Sequence, residues 1–190
     1  MSIPKNGLFR TERMRLRAVE PEDLDFFYQL ENDATMWSYT HSTVPYSRFA
    51  LRRYLEQSEN NFFTDGTLPL VMELNDGTRI GTVDLYGYMP IHKRVELGLV
   101  VQSQWRRQGY GQEALGLTAE YVRMRLLLHQ IYAHVSESNI AARALFQRAG
   151  FKEVAILPDW YCNGYEHFEA ACMYSLILQE NQSFAEETDL

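Results

Sequence analysis

Arg106-Arg107-Gln108-Gly109-Tyr110-Gly111-Gln112 is the stretch of this 190-residue chain best suited to chemistry. It follows a strand-like run and opens a long helical pattern. A helix start leaves about four backbone N–H groups without partners and carries a partial positive charge. Glycines let an anion come close to those amides, and flanking arginines add charge-assisted hydrogen bonds. The stretch is therefore an anion site, and two readings of its occupant compete. Gly109-x-Gly111-x-x-Ala114 satisfies the degenerate dinucleotide fingerprint, with Glu137 where a ribose-binding acid is sought. Against that, Ser103 to Gln108 separate the motif from its strand, and the chain closes on an Asn163-Gly164 hairpin signal. A dinucleotide fold needs further parallel units there instead.

The elements that must hold this stretch are readable from periodicity. Arg13 to Ala18 alternates as a strand, and Pro21-Glu22-Asp23 opens a helix carrying Leu24, Phe27, Tyr28 and Leu30. Ser47 to Gln57 reads as a second helix. Leu68 to Leu74 and Arg79 to Tyr88 are strands around an Asn75-Asp76-Gly77 turn, and Val95 to Gln102 is another. Gly109 to Leu128 follows as a helix, then Ile131 to Ser136 as a strand. Asn139 to Ala149 is a helix with Asn139 at its N-cap and Gly150 as terminator. Lys152 to Cys162 and Tyr165 to Leu178 form the closing hairpin. The order predicts an α+β layout around a mixed sheet.

A single domain over residues 1–178 fits the length, with 179–190 as a polar, acidic tail. No run approaches the ~20 apolar residues of a membrane span, and no secretory leader opens the chain, so a cytoplasmic protein is expected. The net charge of −7 argues against nucleic acid and suits a cationic substrate. With a two-residue turn, Cys162 faces Tyr165 and Cys172 faces Ala155, which places the cysteines ~20 Å apart at ~3.3 Å per residue. A disulfide needs Cα atoms within ~7 Å, so they are not partners. His41, His92, His129, His134 and His167 show no metal-site spacing, and no metal is expected.

Arg106-x-x-Gly109-x-Gly111 resembles the (Gln/Arg)-x-x-Gly-x-(Gly/Ala) signature of the GNAT acetyltransferases. Asn139 to Phe151 resembles that superfamily's second signature at the expected distance, and Arg15 to Leu24 its first strand and helix. Trp160-Tyr-Cys-Asn-Gly-Tyr165 is similar to the final hairpin of the bacterial spermidine and ribosomal-protein N-terminal acetyltransferase branch. The resemblance extends over nearly the whole chain. It implies a mixed, largely antiparallel sheet of about seven strands flanked by about four helices, with a splayed central parallel pair binding CoA.

The resemblance also implies acetyl-CoA as cosubstrate and direct attack of a primary amine on its thioester. Leu99, Val100 and Val101 would hold the cofactor arm and polarise the thioester carbonyl. Arg106, Arg107, Gln108, Gly109, Tyr110, Gly111 and Gln112 would hold the pyrophosphate, with Asn139 and Phe146 also at the cofactor and Arg143 and Arg148 within reach of nucleotide phosphates. Glu96 matches a position that serves as base in some members. Phe146 stands where many members carry an acidic tyrosine, which leaves Tyr161 and Tyr165 as substitutes. The spermidine enzymes carry acids after the first helix, whereas Tyr39-Thr-His-Ser-Thr-Val-Pro-Tyr46 has none. Glu31, Asp33, Asp84, Tyr86 and Tyr88 are the remaining acceptor-groove candidates. The acceptor is thus a small amine, polyamines included, or a peptide N-terminus. A non-catalytic acyl-CoA sensor is the alternative that Phe146 raises. Members are often dimers, and a homodimer stays open.

Overall fold

The computed structural model describes residues 9–35, 37, 44–57, 61–162 and 167–178. Seven strands form one sheet: β1 (Met14–Ala18), β2 (Leu68–Leu74), β3 (Arg79–Met89), β4 (Arg94–Val101), β5 (Gln130–Ser136), β6 (Lys152–Cys162) and β7 (Phe168–Ile177). Their order across the sheet is β1-β2-β3-β4-β5-β7-β6. Every neighbouring pair is antiparallel except β4 with β5. Five α-helices occur among the described residues: α1 (Leu24–Glu31), α2 (Arg48–Gln57), α3 (Phe62–Asp65), α4 (Tyr110–Tyr121) and α5 (Ile140–Arg148). The single-turn α3 is the one that periodicity did not reveal, because four residues are too few to show a 3.6-residue repeat. A lone parallel pair excludes a doubly wound sheet, and with it the dinucleotide reading.

Alternation along the strands divides the apolar side chains between two layers. Leu16, Leu70, Met72, Val83, Leu85, Val95, Leu97 and Ile131 pack beneath Ala114, Leu115, Leu117 and Phe146 of α4 and α5. On the opposite face Val71 and the half-buried Val100 meet Phe26, Phe27 and Leu30 of α1 with Leu51 and Leu55 of α2. That second layer covers only part of its sheet face. Residues of β3, β4 and β5 that share its side of the sheet include Asp84, Tyr86, Glu96, Gly98 and His134.

Buried charge ties the covered part together. Asp23 is wholly buried and accepts both arms of the Arg17 fork, at 2.7 and 2.8 Å, with Arg79 Nε at 2.5 Å and the Glu20 amide at 2.9 Å. Glu73 accepts from Arg15 and Arg17. Burial alone would raise the Asp23 carboxyl, but the Arg17 fork, the Glu20 amide and Arg79 outweigh it and hold it below its ordinary value. Asp23 thus has a structural duty beyond its place at the helix start, where a 3-10 turn (Pro21–Asp23) precedes α1.

Two boundaries differ from the pattern. The helix predicted to Leu128 leaves α-geometry at Tyr121, passes through a π-turn at Val122–Leu126 and stops at Leu127 in the left-handed region (φ 53°). The register of the closing strands also differs from the expected one. Cys162 stands opposite Phe168 and Cys172 opposite Ile156, because bulges after Glu153 and Leu157 shift the register. Both cysteines are free, Cys162 exposed and Cys172 buried. Tyr165 and the Asn163-Gly164 turn lie outside the described residues, as do His41 and the tail.

Candidate active site

β4 and β5 pair only through Arg94↔Gln130, Val95↔Ile131 and Glu96↔Tyr132. Beyond Glu96, Leu97 to Val101 pair with β3 alone, and Ala133 to Ser136 with β7 alone. The strands have splayed, and the gap leaves one edge of β4 at Gly98 to Val101 without a strand neighbour. A cleft of about 1090 Å³ runs through this gap. Its walls join Leu99, Val100 and Val101 to Arg106, Arg107, Gly109, Tyr110, Gly111 and Gln112, so the anion loop and the splayed strand form one space. A second hollow of about 410 Å³ beside Arg10, Thr11, Glu12 and Asn75 has no convergent catalytic groups.

The loop's shape follows from two residues in the left-handed region, Arg107 (φ 61°) and Gly109 (φ 89°). Gly109 is the N-cap of α4, so the amides of Tyr110, Gly111 and Gln112 open the helix with no preceding turn to accept them. Glycine at 111 serves close packing instead. A Cβ there would lie 3.0 Å from Leu145 Cδ2 and 3.5 Å from Leu99 Cδ2, so bare backbone lets helix and strand close up. Arg106 Nε donates to the Val101 carbonyl at 2.9 Å, which fastens the loop to the end of β4. Arg13, which alternation reads only as a strand residue, is the loop's second fastening. It donates to the Gln108 carbonyl at 3.0 Å, pairs with Glu113 and lies over the Tyr110 ring. The alternation that starts the strand at Arg13, one residue before β1 begins, carries no hint of this contact 95 residues away.

Asn139 and Phe146 line the same cleft. The Asn139 side-chain oxygen is engaged as the N-cap of α5, accepting from the Ala142 amide at 3.1 Å. Phe146 is buried, stacked on Tyr174 and edge-on to Phe151, so its role there is apolar wall. Arg148 reaches the cleft. Arg143 points elsewhere, donating to the Glu137 carbonyl, Glu153 and the Tyr174 hydroxyl.

On the other side of β4 the cleft becomes acidic and aromatic. Glu31, Asp84, Tyr86, Tyr46 and Tyr161 line it, as does His134. Gly98, opposite Asp84 in register, leaves the carboxyl uncovered by any side chain on β4. Burial, and then the charge of Glu31, pushes Asp84 up to about 7, opposed by a hydrogen bond with Thr82. Burial also raises Glu31. Tyr161 is pushed up to about 12 by burial and by the charges of Glu96 and Glu169. Of the other groove candidates, Asp33 is turned onto Thr35. Tyr88 packs on Phe62 and Phe63, because Gly87 (φ 62°) and a bulge between Tyr86 and Met89 turn it away.

Glu96 is not itself part of the cleft wall. Its Oε1 lies 2.7 Å from His134 Nδ1, and His134 occupies the wall instead. Tyr86 and Tyr132 also face this carboxylate, and both hydroxyls are raised by burial first and then by Glu96. The His134 ring stacks on Trp160 at 5.5 Å and meets Tyr132 edge-on at 5.7 Å. The bulge after Leu157, with Asp159 at φ 52°, brings Trp160 to this ring and Tyr161 into the cleft. Metal-ligand spacing gives no signal at His134, because its partner is a carboxylate on another strand. Strand alternation already put it on one face with Tyr132 and Ser136.

Among the described residues no three His, Cys, Asp or Glu side chains converge on a metal position. No helix among them is long and apolar enough to cross a membrane.

A family model described as an acetyltransferase (GNAT) domain matches residues 13–152. Spermidine N(1)-acetyltransferase of Escherichia coli K12 is 27% identical over 169 residues, covering 85% of this chain and 86% of its own length. The enzyme of that name from Vibrio cholerae is 29% identical over 154 residues, covering 80% and 87%. The crystal structure of V. cholerae spermidine N-acetyltransferase in complex with CoA and spermine aligns with a TM-score of 0.78 at 25% identity. That alignment covers 88% of this chain and 97% of the other.

Proposed function

Since this chain belongs to the GNAT acetyltransferase family, we propose that its two-sided cleft joins acetyl-CoA on one side of β4 to a cationic amine on the other. The chain is an acetyl-CoA-dependent N-acetyltransferase, moving the acetyl group to a primary amine. The observation that carries the proposal is the parting of β4 from β5 after Glu96, which opens one cleft onto both the anion loop and the acidic chamber.

In this reading the amides from Arg106 to Gln112 hold the pyrophosphate at the start of α4, where helix polarity favours negative charge. The pantetheine arm takes the place of the missing strand neighbour along Leu99, Val100 and Val101, and a backbone N–H there polarises the thioester carbonyl. Asn139 and Phe146 border the arm. The amine enters past Glu31 and Asp84, whose carboxylates draw an ammonium in. The acceptor is a small amine with further positive charge, a polyamine. This is supported by the acids of α1 and β3 and by the likeness to spermidine enzymes. Those acids stand on different elements from the 39–46 stretch, so its neutrality does not remove the cation site. Glu96 belongs to the proton-accepting apparatus. Tyr161, protonated at neutral pH, is the donor for the departing thiolate. The chemistry assigns no step to a metal. A cytoplasmic homodimer with one acetyltransferase domain over 1–178 completes the proposal.

The test follows CoA release from acetyl-CoA with a thiol-reactive dye, across polyamines, amino sugars, aminoglycosides, amino acids and free-N-terminal peptides. Turnover of polyamines is the expected result. Preference for peptides moves the acceptor class. Clear CoA binding with no turnover on any acceptor favours a sensor, and no CoA binding refutes the loop assignment.

A further inference from the structure

His134 and Glu96 are in contact, and both keep the same small exposure, 16% of each side chain. Of the two, His134 lines the cleft, and Glu96 reaches it through the Nδ1 side of the ring. Glu96 is also faced by Tyr86, itself in the cleft wall, and by Tyr132. A carboxylate accepts hydrogen bonds only, so the 2.7 Å contact requires His134 Nδ1 to carry a proton. In neutral imidazole that leaves Nε2 with the lone pair. No hydrogen bond from Nε2 to a described residue is formed, and the stacked Trp160 and edge-on Tyr132 hold the ring in its plane.

We propose that His134 Nε2, and not Glu96, takes the proton from the acceptor's ammonium, with Glu96 as the positioning residue that holds the tautomer. This rests on the transferase reading above. The ammonium R–NH3+ gives one proton to Nε2, directly or through one water, and the ring becomes an imidazolium paired with Glu96. The neutral amine then forms the N–C bond to the acetyl carbonyl, the C–S bond breaks, and CoA leaves as thiolate. Tyr161 protonates the thiolate. The amide nitrogen's remaining excess proton and that on Nε2 pass to solvent as Tyr161 is restored, for a net release of one H+. Imidazole chemistry suits the step because histidine exchanges protons near neutral pH. By accepting from Nδ1–H, Glu96 fixes the ring's tautomer and orientation, as second-sphere carboxylates do.

Three variants and one spectrum test it. His134→Ala and His134→Gln are expected to lower kcat about 10²–10⁴-fold, the range for a lost general base, with acetyl-CoA affinity and thermal stability nearly unchanged. Added imidazole should restore part of the rate to His134→Ala. Glu96→Gln should lose less than His134→Ala and show no imidazole rescue. Histidine ¹⁵N shifts should report Nδ1–H as the neutral tautomer in the wild type and lose that preference in Glu96→Gln. The proposal is overturned if His134→Ala keeps its rate while Glu96→Gln loses 10²-fold, or if the spectrum shows the Nε2–H tautomer. The spectrum needs no turnover, so it tests the dyad even if the acceptor panel is blank.

Discussion

Replacing Asp84 with asparagine should stabilise the protein at alkaline pH and leave it unchanged at acid pH. The Asp84 carboxyl moves from 3.8 to about 7 on folding, through burial and then the charge of Glu31. Because the folded value is the higher one, the native state binds the extra proton. Its contribution is present in full below pH 3.8 and is lost as pH rises through about 7. A shift of roughly three units at about 1.4 kcal/mol each gives a ceiling of about 4 kcal/mol. The cleft is open to water on one side, so about 2 kcal/mol is the working figure. Asparagine keeps the shape and removes the charge, so it recovers that amount above pH 8. For a domain of this size that is a Tm gain of about 4–8 °C. The assay is thermal unfolding of both proteins from pH 4.5 to 8.5, plotted as the difference. Acid losses from Asp23 and Glu73, whose folded values are lowered, occur in both proteins and cancel in that difference. Parallel curves for the two proteins would show that Asp84 is solvated like any surface carboxylate.

The same carboxyl predicts proton release on acceptor binding. An ammonium beside Asp84 favours the charged form, so polyamine binding at pH 6–7 should expel up to one proton. Calorimetry in buffers of different ionisation enthalpy measures this, and Asp84→Asn should abolish it. Gly111→Asp puts a carboxylate at the start of α4, where only the methyls of Leu145 and Leu99 must give way. Acetyl-CoA affinity should fall at least about tenfold (about 1.4 kcal/mol) from charge repulsion, with the fold retained. Unchanged affinity by titration removes the loop from the cofactor site. Asp23→Ala leaves Arg17 and Arg79 without their shared buried partner, and should cost about 3–5 kcal/mol in urea unfolding. A loss below 1 kcal/mol would mean water replaces the carboxylate there.

The parts legible in the sequence are those whose cause lies within a few residues. The start of α4 is one, because glycine and arginine spacing along 106–112 sets the loop by itself. The cap of α5 is another, where Asn139 accepts from an amide three residues on. Glu96 is legible too, but its contact with His134 is not, because that contact depends on the register Glu96↔Tyr132 between strands 36 residues apart. The register puts the next outward residue of β5, His134, diagonally across from Glu96, and the splay beginning there leaves the ring facing the cleft. Alternation alone tells which face a residue takes, not which strand lies beside it. The closing pair of strands is legible, but its register is not, for the same reason in reverse. Its Asn-Gly signal is local, but bulges farther along β6 set the pairing, and no local pattern announces them. Local sequence thus specifies backbone sites most directly, single side chains less so, and dyads least. A dyad is the last to be read because two strands must be placed before it exists.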